Sequence, residues 1–123
     1  MGIYLGIDTS NYSSSVAVLD SGSGQLIFKR KLLPVEKGKV GLRQSDAVFS
    51  HVKQLAEVVR SVFDDLCAEQ NLSAIGVSIF PRRAEGSYMP CFLVGKLVAE
   101  SISAVTKKPI YTFSHQEGHV AAA

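Results

Sequence analysis

The sequence predicts a single α/β domain whose mixed five-stranded sheet is flanked by helices. Three strand-like segments follow one another within the first 33 residues, with short polar turns between them. Two segments with helical apolar periodicity then alternate with two further short apolar runs. Strands joined by tight turns pair antiparallel, whereas strands joined through a helix pair parallel. The order of the segments therefore predicts a sheet that contains both kinds of pair.

The N-terminal segments predict a three-stranded meander. Residues 3–7 (IYLGI) are a short apolar run, and residues 13–19 (SSSVAVL) resume with β-branched residues after a polar turn. The turn SGSG at 21–24 leads to residues 25–33 (QLIFKRKLL), which alternate enough to form a third strand.

A long amphipathic helix is the strongest signal in the chain. Residues 34–44 predict a loop, after which Ser45 is the expected N-cap and Asp46 lies in the first turn. Apolar residues then recur at steps of three and four over about five turns. They are Val48, Val52, Leu55, Val59, Val62 and Leu66, with Phe49, Ala56 and Phe63 beside them. This stripe predicts burial against a sheet.

A central strand and a second helix follow. Residues 74–80 (AIGVSIF) form the nearly continuous apolar run expected of a strand that is covered on both faces. Residues 91–105 (CFLVGKLVAESISAV) then have helical periodicity. The small residues Gly95 and Ala99 would let the backbone of this helix approach the sheet closely.

The end of the chain predicts one more strand and a third helix. Residues 110–113 (IYTF) are strand-like, and Ser114 is the expected cap of a helix that opens with two histidines. The complete order is β-β-β-α-β-α-β-α. This order is that of a ribonuclease H-like domain, the unit found in each half of the actin-like ATPase superfamily.

Length and composition bound the class of protein. The 123 residues, 46% apolar and 20% charged, are typical of one globular domain spanning 1–123. A net charge of +2 is too small for tight non-specific nucleic-acid binding. Cys67 and Cys91 lack metal-type or redox-type spacing, which favours two semi-buried thiols in a reducing compartment. The first ten residues contain no basic leader and no membrane span, so a cytoplasmic protein is expected.

A local basic cluster leaves two interpretations open. Six basic side chains gather in the stretch from 29 to 43, where a solvated surface is favoured over a contact with RNA phosphates. They are Lys29, Arg30, Lys31, Lys37, Lys39 and Arg43.

The turn after the first strand is the first candidate site. The segment GIDTSNYSSSV contains Asp8, Thr9, Ser10 and Asn11. Hydroxyl and backbone N–H groups in such a turn form a concavity that suits phosphate, and a carboxylate at a strand end can hold a cation or orient a water. An Asx-type turn, in which Asp8 and Asn11 bond only their own backbone, is the alternative that the local pattern favours.

His115 and His119 are the second candidate. Four residues apart, they lie on one helical face and can share a metal ion. A stable zinc or iron site needs a third protein ligand, which would have to come from elsewhere. HQEGH also lacks the HExxH arrangement of zinc proteases, in which a glutamate adjoins the first histidine. Two exposed surface histidines are an equally favoured alternative.

The loop that leaves the central strand is the third candidate. Residues 81–92 (PRRAEGSYMPCF) lie where an open sheet binds ligands, although a long polar connection explains them equally well. The polar side chains of this loop are Arg82, Arg83, Glu85, Ser87 and Tyr88. His51, on the long helix, is interpreted as a packing or capping residue rather than a catalytic base.

Three of these stretches together resemble a known family. GIDTSNYSSSVAV is similar to an opening phosphate hairpin, SDAVFSHVKQL to the start of a helix with its histidine, and HQEGHVAA to the HxEGH metal motif of the glycoprotease-like family. Members of that family, once described as O-sialoglycoprotein endopeptidases, make the threonylcarbamoyl modification of tRNA. The resemblance spans essentially the whole chain. The HxEGH match is fairly specific, whereas GIDTS is shared with many actin-like proteins.

The resemblance implies a reaction and its components. The family's enzyme transfers a threonylcarbamoyl group from an adenylate mixed anhydride to the exocyclic amine of a tRNA adenosine. His115 and His119 match two ligands of its divalent metal, iron or zinc, which would act as a Lewis acid and template. The residues from Asp8 to Asn11 match its phosphate hairpin.

The resemblance also implies that residues 1–123 are the N-terminal half of a longer two-domain protein. The nucleotide, ATP or an acyl-adenylate, would bind between the two domains, and a further metal ligand, an Asp, would come from the second. The chain alone is therefore expected to be inactive. Its exposed missing-domain face would favour a homodimer of the fragment.

The chain departs from the family's pattern at two places. Tyr12 and Ser13 stand where family members usually carry acidic residues, and residues 81–92 replace a GPG loop, although the LVG that follows at 93–95 is retained. These differences indicate a divergent branch whose acceptor or activity differs.

Two other functions compete with tRNA modification. One is a non-catalytic interaction protein, similar to the paralogous actin-like subunit that dimerises with the synthase and using the long helix or its neighbour as the interface. Such partner subunits generally lack the histidine pair. The other is a metalloendopeptidase, which ranks last because Glu117 is poorly placed as a general base. No membrane contact is expected.

Overall fold

The computed structural model of the protein describes residues 2–34, 44–66, 71–81 and 90–115. The strands are β1 (Ile3–Thr9), β2 (Ser13–Asp20), β3 (Gln25–Leu32), β4 (Leu72–Phe80) and β5 (Ile110–Ser114). The helices are α1 (Gln44–Asp65) and α2 (Phe92–Thr106). The third helix predicted after Ser114 lies outside the described residues, and Ser114 itself ends β5.

The five strands form one mixed sheet in the order β3-β2-β1-β4-β5. The pairs β1–β2 and β2–β3 are antiparallel, which confirms the predicted meander. The pairs β1–β4 and β4–β5 are parallel, as expected of strands joined through helices. The predicted α/β fold class with its mixed five-stranded sheet is therefore confirmed.

Both helices pack on one face of the sheet and share the larger apolar core of the described residues with it. Alternate residues of the inner strands point to that face because successive side chains of a strand project to opposite sides. The strands contribute Ile3, Leu5, Ile7, Val16, Val18, Ile75 and Val77, and the helices contribute Leu55, Val58, Val62, Leu66, Val94 and Ala99. No helix in the described part of the chain is both long enough and apolar enough to cross a membrane.

The start of α1 differs from the prediction. Ser45 lies inside the helix rather than at its N-cap, because α1 already includes Gln44. The Gln44 side chain donates a hydrogen bond to Asn11 Oδ1 (3.0 Å) and accepts one from the Cys91 N–H (3.2 Å). These tertiary contacts hold the first turn of the helix at Gln44, whereas a Ser45 cap alone would start the helix two residues later.

The buried face of α1 is rotated from the predicted stripe. Leu55 and Val62 are buried as predicted, but Phe49 and Val52 are 61% and 63% exposed. The buried positions in the N-terminal half of the helix are Ala47 and three polar residues, namely Ser50, His51 and Gln54. His51 and Gln54 bond to hydroxyl and carbonyl groups of the first turn, β2 and β3, and buried groups of that kind need hydrogen-bonding partners that an apolar stripe cannot supply.

Helix α2 approaches the sheet through its small residues, as predicted. A Cβ atom added at Gly95 would lie 2.9 Å from Thr9 Oγ1 and 3.3 Å from Ile7 Cγ2, so only glycine fits there without displacement. The helix ends with Lys107 in the left-handed region (φ 60°), whose N–H donates to the Ser103 carbonyl at 2.9 Å.

Two lysines of the basic cluster make contacts with α1. Lys29 donates to Ser61 Oγ (2.7 Å) and forms an ion pair with Asp65, and Lys31 pairs with Glu57 at 3.2 Å. These contacts favour the interpretation of a solvated surface for these two side chains. Lys37, Lys39 and Arg43 lie outside the described residues.

Candidate functional site

The carboxyl ends of β1, β4 and β5 meet at one edge of the sheet, and Asp8 lies at the centre of this edge. Ser78 Oγ in β4 donates to one oxygen of the Asp8 carboxylate. His115, which directly follows β5, donates from Nδ1 to the other oxygen, Oδ2, at 2.8 Å. The parallel register of the three strands brings together side chains that are 107 residues apart in the sequence.

His115 is held by both a polar and an aromatic contact. Its side chain and that of Asp8 are each 27% exposed, so the pair is accessible from solvent without being surrounded by it. The Phe92 ring at the start of α2 lies 6.1 Å from the imidazole, centroid to centroid, and is tilted by 53°. Since Nδ1 faces the carboxylate, Nε2 is on the far side of the ring from Asp8.

The Asp8–His115 pair has the chemistry of a metal ligand with its supporting carboxylate. A histidine that binds a metal through one nitrogen commonly donates its other N–H to a carboxylate, which fixes the tautomer and the ring orientation. The residues present therefore fit a divalent metal held through His115 Nε2. Within the described ranges no group of three or more potential ligands occurs, and His119, the second predicted ligand, lies outside them.

The turn between β1 and β2 is organised by Ser10. Ser10 Oγ accepts hydrogen bonds from the backbone N–H groups of Tyr12 (3.2 Å) and Ser13 (3.3 Å), while the Ser10 N–H donates to the Ser13 carbonyl. In the alternative of an Asx-type turn, the side chains of Asp8 and Asn11 would bond to the backbone of the turn. Their side chains instead make tertiary contacts, Asp8 with β4 and β5 and Asn11 with Gln44.

Thr9 points away from the turn and into the core. Its hydroxyl donates to the Cys91 carbonyl (2.9 Å) and accepts from the Gly95 N–H (3.1 Å), and the residue is fully buried. Thr9 therefore joins the candidate turn to the start of α2, and its side chain is not available to a ligand at the turn.

Burial also raises the pKa of the Cys91 thiol to about 11, which makes that thiol a poor nucleophile.

His51 is buried between α1 and the turn. Its Nε2 lies 2.7 Å from the Ser10 carbonyl oxygen and its Nδ1 lies 2.6 Å from Ser14 Oγ. Burial lowers the pKa of this imidazole, an effect that the Ser10 carbonyl and the charge of Asp8 oppose. The contacts agree with the packing role assigned to His51, because a fully enclosed ring has no access to a substrate.

Two residues of this region escaped the sequence analysis. Ser78 is the one polar residue in the apolar run AIGVSIF at 74–80, and that exception is the signal that could have found it. Gln44 gave no such signal, because its role depends on the distance between Asn11 and the start of α2.

The predicted substrate loop cannot be placed in this site, because its five polar side chains lie outside the described residues. They are Arg82, Arg83, Glu85, Ser87 and Tyr88.

Curated relatives cover nearly all of this chain. It is 32% identical over 119 residues to tRNA N6-adenosine threonylcarbamoyltransferase of Ehrlichia chaffeensis, a match that covers 95% of this chain and 32% of that protein. The protein of the same name from Mycoplasmopsis synoviae is 26% identical over 117 residues, covering 95% and 36%. The chain thus spans about a third of the length of these relatives. No protein-family model matches it.

Solved structures agree with the observed architecture. YeaZ from Pseudomonas aeruginosa matches 93% of this chain and 43% of its own with a TM-score of 0.65 and 20% identity. A second structure, described as a protein with similarity to peptidase YeaZ from the same organism, gives a TM-score of 0.65 at 21% identity, covering 93% and 44%. At such identity the likeness concerns the fold alone. The chain is therefore a relative, over about a third of their length, of the tRNA N6-adenosine threonylcarbamoyltransferases, and its α/β fold is that of YeaZ.

Proposed function

We propose that this chain is part of a threonylcarbamoyl transferase that acts on a tRNA adenosine. Its role would be to bind the phosphate of the acyl donor and to hold the metal. The observation that carries the proposal is the contact of 2.8 Å between Asp8 and His115. It joins the end of the first strand to the first histidine of the HQEGH motif, and it places a carboxylate where a metal-binding histidine commonly has one. The names of the curated relatives support the same reaction.

Each residue of the site has a role that follows from its contacts. Asp8 orients the His115 ring through Nδ1, and Ser78 holds the carboxylate in place through its other oxygen. His115, together with His119 and a ligand from outside this chain, would hold a divalent metal, iron or zinc. When bound, that metal would supply Lewis-acid and template chemistry for the acyl donor. Ser10 and Asn11 lie next to this position and provide the turn that would bind the donor's phosphate.

The proposed reaction is an acyl transfer in which one bond replaces another. The carbon–oxygen bond between the threonylcarbamoyl carbonyl and the adenylate phosphate breaks, and a carbon–nitrogen bond to the adenosine amine forms. The phosphate leaves with the bonding electron pair, and the amine loses a proton to solvent or a neighbouring base. The turn contributes by fixing the phosphate during this exchange, since orientation of the donor lowers the entropic part of the barrier.

The proposal assigns the complete activity to a longer protein. The chain corresponds to about a third of its curated relatives, and ATP or an acyl-adenylate would bind with the help of a second domain. We accordingly expect this chain alone to be inactive. The cytoplasm, where tRNA is modified, is the compartment that suits the function.

A transfer assay on the full-length protein tests the proposal. The protein is incubated with tRNA that lacks the modification and with threonylcarbamoyl adenylate, and the nucleosides are then quantified by mass spectrometry. We expect the modified adenosine to form, and Asp8→Ala to reduce its initial rate about 10-fold to 100-fold, as is usual when the carboxylate behind a metal ligand is removed. Asp20→Ala, which removes a partly exposed carboxylate at the opposite end of β2, is the matched control and should not change the rate. Absence of product with the wild-type protein, or equal rates with Asp8→Ala, would contradict the proposal.

A second candidate function is association with a paralogous actin-like subunit. An apolar groove of about 500 Å³ lies between α1 and α2. Its lining consists of His51, Val52, Leu55, Ala56, Val59 and Arg60 from α1 and Val94, Leu97 and Val98 from α2. Val52 and Leu97 are 63% and 67% exposed. A partner of the same fold would present a similar pair of helices, and two such pairs bury their apolar faces by packing against each other.

A further inference from the structure

The two hydrogen bonds of His51 define its protonation. A carbonyl oxygen only accepts, so Nε2 carries the proton and donates it to the Ser10 carbonyl at 2.7 Å. In the neutral ring Nδ1 is then the acceptor, and it receives the Ser14 hydroxyl proton at 2.6 Å. The Ser14 oxygen in turn accepts from Gln54 Nε2 at 3.1 Å. The whole network is satisfied with an uncharged His51.

The bond to Ser10 controls the orientation of one peptide unit. The peptide between Ser10 and Asn11 is trans, so its C=O and N–H point in opposite directions. Because His51 holds the carbonyl towards α1, the Asn11 N–H points away from α1. Within the described residues this N–H makes no hydrogen bond, whereas the N–H groups of Tyr12 and Ser13 are both bonded to Ser10 Oγ.

The site next to this N–H is the one that would bind an anion. Asn11 is three residues from Asp8, whose partner His115 would hold the metal. An oriented backbone N–H is a good donor to phosphate oxygen, because its direction is fixed before the ligand arrives. A turn whose Ser10–Asn11 peptide rotated by half a turn would present a carbonyl oxygen there and repel the phosphate.

We propose that His51 is a positioning residue that fixes the Ser10–Asn11 peptide so that the Asn11 N–H donates to a phosphate oxygen of the bound nucleotide. This inference rests on the proposed function, since it takes the turn to be the phosphate site. It assigns to a residue of α1 an indirect part in ligand binding, exerted entirely through the backbone of the turn.

Gln54 provides a matched control on the same helix. It is buried like His51, and its amide donates to Ser14 Oγ (3.1 Å) and to the Lys31 carbonyl (3.0 Å). These bonds support β2 and the end of β3, and none of them reaches Ser10. Replacing Gln54 therefore removes buried hydrogen bonds of a similar kind without releasing the peptide.

Nucleotide affinity of the full-length protein tests the role of His51. ATP binding is measured by titration calorimetry for the wild type, His51→Leu, His51→Gln and Gln54→Leu, each at a temperature where it is folded. We expect His51→Leu to bind ATP about tenfold more weakly, because one oriented donor is no longer fixed. His51→Gln, which retains an N–H donor for the Ser10 carbonyl, should recover most of the affinity. Gln54→Leu should lower the melting temperature but keep the wild-type affinity.

A second measurement needs no variant. In the wild-type protein labelled with ¹⁵N, saturation with ATP should shift the backbone N–H resonance of Asn11 strongly. ATP binding that leaves this resonance unshifted, or equal affinities for the wild type and His51→Leu, would overturn the inference while the proposed function stands. A wild-type protein that binds no ATP in the calorimeter but modifies tRNA from the adenylate would also overturn it. A wild-type protein that neither binds ATP nor modifies tRNA would contradict the proposed function together with the inference.

Discussion

At the scale of single residues, the contacts of Asp8 carry most of the functional argument. A carboxylate near the end of a strand is common, and the sequence alone could not distinguish it from a residue that caps its own turn. The partners Ser78 and His115 decide the question, because both come from other strands of the parallel half of the sheet. The chemistry of the residue thus depends on register rather than on neighbouring sequence.

Gly95 gives a test of the packing at this scale. The change Gly95→Ala adds a methyl group 2.9 Å from Thr9 Oγ1, and we expect it to lower the free energy of unfolding by about 1–3 kcal/mol through overpacking. The intrinsic helix preference of alanine, worth about 1 kcal/mol, acts in the opposite direction and makes this a demanding test. Urea unfolding measures the outcome, with the exposed neighbour Lys96→Ala as control. A Gly95→Ala protein as stable as the wild type would show that α2 lies farther from β1.

At the scale of elements, α1 has two different halves. Its C-terminal half buries Val58 and Val62 in the core, while its N-terminal half buries His51 and Gln54 against the first hairpin. The apolar period of the sequence predicted the helix correctly, because periodicity depends only on the helical repeat. It did not predict which side is buried near the turn, since that depends on polar groups of β2 and the turn that only the fold brings close.

The pKa of His51 makes the stability of this contact depend on pH. Burial lowers the pKa of His51 in the folded state below the ordinary value of 6.5, so in acid the unfolded chain binds a proton that the folded chain does not. The contribution of His51 is therefore complete above about pH 7 and decreases as the pH falls, with a slope of at most about 1.4 kcal/mol per pH unit. Denaturant unfolding between about pH 7 and pH 5 measures this slope.

The variant His51→Gln is the control for that slope. It keeps a hydrogen-bonding side chain but has no group that titrates in this range, whereas the other two histidines remain in both proteins. The free energy of unfolding should therefore fall less steeply in His51→Gln than in the wild type. Parallel curves for the two proteins would mean that His51 has the same pKa in the folded and the unfolded chain.

At the scale of the whole molecule, the fold was predictable and the site was predictable only in part. Element order and apolar patterning fix the α/β class, because turns and helical crossovers leave few arrangements of five strands. His115 and Asp8 could each be named from the sequence. Their mutual contact could not, nor could the roles of Ser78 and Gln44, since these arise only when separate segments meet at one edge of the sheet.

The exposed groove between α1 and α2 leads to a prediction about assembly. Replacing Val52 and Leu97 together by Asp introduces two charges into the apolar surface, and we expect it to weaken binding of the co-expressed actin-like paralogue at least tenfold. Val105→Asp, at an 83% exposed position of α2 that does not line the groove, is the control. Analytical ultracentrifugation measures both. A wild-type chain that forms only homodimers and does not bind the paralogue would contradict this choice of partner.

The central claim is that the strand end at Asp8 and the histidine motif build one metal-holding site, and the metal content of the full-length protein tests it most directly. Elemental analysis should find about one divalent ion per chain in the wild type, almost none in a His115→Ala, His119→Ala variant, and a reduced amount in Asp8→Asn, whose amide supports the imidazole less well. Equal metal content in the wild type and the double-histidine variant would contradict the account.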